Sequence, residues 1–112
     1  MKQVHLSRRL TLEAPEVLAD GAGGYSRSWV SLGVIWAEVV AGSGREASGV
    51  EVAVASVNYR ITVRAAVVGS TARPKPEQRL RDGSRVFTIL AVSESDAEGR
   101  YLTCIAKEEV PA

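Results

Sequence analysis

The chain has 112 residues, 46% apolar and 24% charged, with 14 Lys and Arg against 13 Asp and Glu and a formal net charge of +1. A chain of this size buries about two thirds of its unfolded surface, enough for one core over residues 1–112 and no second domain. No stretch nears the ~20 apolar residues of a membrane span, charge in Met1–Arg9 opposes a secretory signal, and one Cys with one His gives neither an internal disulfide nor a usual zinc set.

Strand signals dominate. Arg9-Leu10-Thr11-Leu12-Glu13 alternates strictly, with Leu10 and Leu12 on one face, and Pro15 is expected to end this first strand. Asp20-Gly21-Ala22-Gly23-Gly24 reads as a connection whose glycines allow positive φ. Trp29 to Val40 is apolar on both faces, with Glu38 its only charge, and is expected to be a central strand buried on both sides. Asn58 to Arg64 is a third strand, with Tyr59, Ile61 and Val63 opposed to Arg60, Thr62 and Arg64. Arg73-Pro74-Lys75-Pro76 is loop by proline content. Asp82-Gly83 marks a hairpin joining a short strand at 78–81 to Arg85–Val92. Ser93 to Gly99 is a polar connection, and Arg100 to Lys107, with Leu102, Cys104 and Ile105, closes the set. The fold expected is all-β and mainly antiparallel, a small barrel or sandwich of five or six strands.

Gly42 to Ser56 is long for a connection between the second and third core strands, where about 2–5 residues would serve. Val50-Glu51-Val52-Ala53-Val54-Ala55 alternates and reads as strand; a short helix from Glu46 is opposed by Gly44, Gly49 and the valines. A strand-capable segment flanked by glycines suits pairing with another chain. An ordinary surface loop is the alternative.

Charge falls in blocks. Lys2, Arg8 and Arg9 give residues 1–12 a local +3, and six acids against Arg27 and Arg45 give 13–57 a local −4. Seven bases from Arg60 to Arg85, against Glu77 and Asp82, give 58–85 a local +5, and the remainder is −3. Such blocks produce either opposed faces that dock on partners or a mixed solvated surface.

No catalytic constellation is found, and no enzyme, metal or cofactor is expected. His5 precedes the first strand, Cys104 sits mid-strand as a small hydrophobe, and the two have no reason to meet. Glu108 and Glu109, adjacent on a strand, point to opposite faces. Gly21-Ala22-Gly23-Gly24 lacks the Lys-Ser/Thr of a phosphate loop. A nucleic-acid-binding barrel would interleave bases with exposed aromatics, yet Arg60 and Arg64 alternate with Thr62, and Tyr59 falls on the other face. Trp29 and Trp36 read as core or interface anchors.

The order of these features resembles the small phage head-tail joining proteins, the head-tail adaptors and stoppers, including versions in gene transfer agents. The resemblance runs through Arg8-Arg9-Leu10-Thr11-Leu12-Glu13, Gly23-Gly24 before Trp29, Trp36-Ala37-Glu38-Val39 and Tyr59-Arg60-Ile61-Thr62-Val63-Arg64. It continues through Leu80 to Val92, around Asp82-Gly83, and Arg100 to Glu109. Ala65 and Ala66 depart from the more polar or aromatic residues expected there, and Arg73-Pro74-Lys75-Pro76 is longer and richer in proline.

The resemblance implies a structural virion subunit with a β-barrel core, assembled with itself as a six- or twelve-fold ring. The ring would lie between a portal-bound adaptor above and a tail terminator or tail tube below. Double-stranded DNA would pass through its lumen without specific binding, and no membrane is involved. In the stopper branch the long loop projects into the lumen and meets its symmetry mates. Here that loop is Gly42 to Ser56, with Gly42, Gly44, Arg45, Glu46, Gly49, Val50, Glu51, Val52 and Val54 as the ring-interface or channel residues. A portal-side adaptor is the alternative role.

Overall fold

Leucine, isoleucine and valine recur at every second position through the short strands, and one face of each strand must leave water. In the computed structural model, which describes residues 3–42 and 58–109, those faces meet inside one closed sheet. The strands are β1 (Arg8–Ala19), β2 (Tyr25–Ala41), β3 (Asn58–Arg64), β4 (Arg79–Asp82), β5 (Arg85–Glu94) and β6 (Tyr101–Glu108). They run antiparallel in the order β1-β2-β3-β6-β5-β4, and β4 returns to β1 to close a barrel. The expected all-β architecture is the one observed.

The interior is filled. Leu10 and Leu12 of β1 meet Ile61 and Val63, Leu80, Phe87 and Ile89, and Leu102, Cys104 and Ala106, all at 1% exposure or less. The Tyr59 ring meets Phe87 edge-on, with centroids 5.1 Å apart. A barrel of so few strands has room inside for side chains and nothing larger.

Two expectations are corrected. Pro15 does not end the first strand: β1 continues to Ala19, with Pro15 opposite Trp29 of β2. By that point β1 has parted from β4, whose pairing stops at Glu13, so the missing N–H of Pro15 costs no ladder bond on the open edge. The Trp29–Val40 run is not buried on both faces either. Only Ala37 of β2 is buried, whereas Trp36 is 52% and Val34 46% exposed. A closed antiparallel sheet has one interior, so the outward side chains of β2 have nothing to cover them. Arg73–Pro76 is loop, as expected, and in this connection Pro74 is fully buried and Gln78 nearly so.

Bulges mark where the barrel ends. Leu32 is an extra residue in β2 opposite the Leu12–Glu13 step, next to Gly33 at φ 126°. Leu90 is an extra residue in β5 opposite Ile105–Ala106. The first lies where β1 leaves β4, and beyond it β1 and β2 run on as a two-stranded arm. The β4–β5 turn centres on Gly83 and Ser84, with Asp82 opposite Arg85, one residue later than Asp82-Gly83. Gly83 has φ 62°, the requirement at the first position of a type II′ turn.

Phe87→Ala empties the centre of this core and is expected to lower the unfolding free energy by about 3–5 kcal/mol. Urea denaturation followed by tryptophan fluorescence measures it.

Candidate assembly interface

Glu13 fixes the root of the arm. It lies between Arg79 and Arg81 on the outer face of β4, accepting Arg79 Nε at 2.6 Å and facing Arg81 Nη2 at 2.9 Å. Only 4% of Glu13 is exposed, so the two guanidinium groups are what make an ionised carboxylate tolerable there. The Arg79 guanidinium in turn lies 4.0 Å from the Trp29 ring centre, and Arg27 lies 4.9 Å from it. Trp29, expected as a core or interface anchor, is therefore held on the outer surface where the arm leaves the barrel.

Past this clamp the arm carries exposed apolar side chains on both faces, among Glu16, Ser26 and Ser28 on one and Arg27 on the other. Val17 and Tyr25 share one face, since Val17 opposes Arg27 and Ala19 opposes Tyr25; Leu18, opposite Ser26, points the other way. All three are exposed, Tyr25 at 75%. The tip is closed by Asp20, whose Oδ1 accepts the N–H groups of Ala22 and Gly24 at 2.8 and 3.0 Å. Those two backbone bonds, Ala22 first, also hold the Asp20 carboxyl below its ordinary value, so the turn keeps a negative charge. Sequence reading missed the arm because Pro15 hid the length of β1.

A cleft of about 460 Å³ lies at the other end of β2, lined by Leu6, Val34, Trp36, Arg64, Ala66 and Ala72 among others. Small side chains line this room after β3: Ala65 and Ala66 stand there, where more polar or aromatic residues were expected. The N-terminal segment runs alongside β2, and His5 N–H donates to Glu38 Oε2 at 3.2 Å. Arg64 of β3 gains aromatic neighbours from other strands, Tyr101 opposite it and Trp36 in the same cleft, whereas Arg60 lies opposite Val40 and Ile105.

Of the channel residues expected, only Gly42 is described; Gly44, Arg45, Glu46, Gly49, Val50, Glu51, Val52 and Val54 lie outside the described residues. The two ends of the segment are fixed side by side, with Gly42 N–H donating to Asn58 O at 2.6 Å.

Three of the seven bases in the 58–85 block are paired with acids of other blocks, while the block's own Asp82 is paired with Arg8. Glu13 takes Arg79 and Arg81, Asp82 takes Arg8 at 2.7 Å, and Glu108 takes Arg85 at 2.8 Å. Cys104 is buried, and desolvation pushes its thiol up to about 12, far from a nucleophilic thiolate. Among the described residues no three His, Cys, Asp or Glu side chains converge on a metal-sized site, and no helix is long and apolar enough to cross a membrane.

Comparison with known proteins follows from this geometry. The family model described as phage head completion protein matches residues 1–109. A chain in the solved virion of a native gene transfer agent particle is 55% identical, with a TM-score of 0.80, over 98% of this chain and 100% of that one. A Shigella flexneri 2a protein solved in solution shares the fold at TM-score 0.71 and 24% identity, over 100% of both chains. No curated protein matches.

Two outcomes are expected. Glu13→Gln leaves Arg79 and Arg81 without their counter-charge and should cost about 2 kcal/mol, below the usual figure for a broken buried pair because Arg81 is half exposed; urea midpoints measure it. The Glu108 carboxyl is held below its ordinary 4.5, first by its hydrogen bonds with Arg85. Its folded-state value is depressed, so its contribution is fully present above about 4.5 and is lost as pH falls through the lowered value. Glu108→Gln should therefore flatten the acid limb of the stability–pH curve and leave its shape above pH 5 unchanged.

Proposed function

The chain belongs to the phage head completion protein family, and on that premise we propose that it is a connector subunit of the stopper type, joining head to tail in a phage or phage-like particle. Copies form a ring between a portal-bound adaptor and the tail terminator or tube. The ring extends the DNA channel and closes it after packaging. The observation that carries this reading is the projecting β1–β2 arm, with exposed apolar side chains on both faces, on a barrel whose own interior is filled. A filled barrel conducts nothing, so a passage for DNA must lie between copies, and an exposed apolar arm is a means of holding copies together.

The charge pattern supports passage without grip. Each phosphate neutralised by Lys or Arg adds salt-sensitive affinity, and five of the arginines among the described residues are taken by carboxylates within the chain. Segment 42–56 is the proposed gate. Its ends leave the barrel at adjacent points, and its charges, Arg45 against Glu46 and Glu51, sum to −1. Pairing between neighbouring copies, rather than contact with DNA, would hold it closed, each weak contact being repeated around the axis.

Particles assembled without this chain should give filled heads and finished tails that stay apart in electron micrographs; joined particles would refute the connector role. Deleting residues 44–55 should leave the barrel's circular dichroism unchanged and release packaged DNA to nuclease. Full retention of DNA would rule out the gate and leave an adaptor role. Tight, steeply salt-dependent binding of oligonucleotides by the purified chain would favour a nucleic-acid-binding barrel instead.

A further inference from the structure

Exposed apolar side chains stand on both faces of the arm tip, Val17 and Tyr25 on one and Leu18, among Glu16, Ser26 and Ser28, on the other. A ribbon that lay flat on a partner would need one such face; a ribbon with two is suited to insertion between walls. The molecule offers a recess of that kind in the cleft lined by Leu6, Val34, Trp36, Arg64, Ala66 and Ala72. We infer that the arm tip of one copy inserts into the Trp36 cleft of the next copy, and that this contact propagates the ring. The inference rests on the ring reading above and names its interface.

A chain cannot fill its own cleft. Tyr25 and Trp36 stand eleven residues apart on the same strand, on the order of 35 Å at the rise of an extended chain. The intervening stretch is pinned to β1 pair by pair from Ala19–Tyr25 to Arg9–Trp36. Arm and cleft are also different surfaces, so their contact is head-to-tail. Such contacts do not close on a pair; they continue from copy to copy and end only as a ring or a filament.

Charge agrees with this pairing. The tip carries the carboxylates of Glu16 and Asp20, and the cleft carries the exposed Arg64. Among the described residues none of these three is in an ion pair within the chain, unlike Glu13, Asp82 and Glu108. Ala65 and Ala66 acquire a reason as well. They are the departures from the resemblance, and a larger side chain at 66 would occupy the space the arm needs.

The test is carried out on the full chain in assembled particles. Leu18→Cys and Ala72→Cys placed together should, on oxidation, give a ladder of cross-linked copies, while either substitution alone gives none; Cys104 is buried and stays out of the reaction. Ala66→Trp should cut incorporation into particles about tenfold with the melting temperature of the free chain unchanged. Glu16→Arg and Arg64→Glu should each weaken incorporation and together restore it. Cross-links between two Leu18→Cys chains, or from position 72 to another virion protein, would overturn the inference. So would their absence in particles holding the normal copy number, with the ring left standing. A single copy per particle, counted by quantitative mass spectrometry, would instead remove the ring itself and this interface with it.

Discussion

Closure of the sheet rests on three residue pairs between β1 and β4: Thr11–Arg81, Leu12–Leu80 and Glu13–Arg79. This short seam does two things at once. Inward, it brings Leu12 and Leu80 into the core. Outward, it places Glu13 between two guanidinium groups, one of which lies on Trp29. The seam ends where the arm begins, so the charge pairs that close the barrel also fix the direction in which β1 and β2 leave it. Without Glu13, Arg79 and Arg81 would stand side by side on one face of β4 with no counter-charge at the seam.

This arrangement explains why a chain with almost no net charge carries strong local blocks. The blocks are not surface fields. They are the two halves of contacts between strands distant in sequence, 13 with 79 and 81, 8 with 82, and 85 with 108. Among the described charges that take no part in these pairs are Glu16 and Asp20 at the arm and Arg60 and Arg64 on β3. An assembly protein needs its free charge there, because charge satisfied within the chain contributes little to choosing a neighbour.

Much of the barrel was legible in the sequence, because the period-two rule applies wherever one face of a strand is buried. It located Leu10 and Leu12, Ile61 and Val63, and the turn at Gly83 within a residue. It failed where burial was not the cause of apolarity. Trp36 and Val34 read as core because hydrophobic side chains usually are; on a closed sheet they face outward, and only topology reveals it. Pro15 read as a terminus because a proline breaks a ladder with two neighbours, and nothing local shows that β1 has one neighbour there. Pro74 lies in the loop expected for it, and only its burial went unread. The resemblance identified the family and pointed to segment 42–56; the arm and the Ala66 cleft emerged from coordinates alone.

The bond from Gly42 to Asn58 has an evolutionary corollary. Because the chain departs and returns at neighbouring points, whatever is spliced between them leaves strand register untouched. The closure penalty for an unstructured insertion grows only with the logarithm of its length, about 0.6 kcal/mol for each doubling. Members of the family can thus vary the length of this stretch while inheriting the same scaffold.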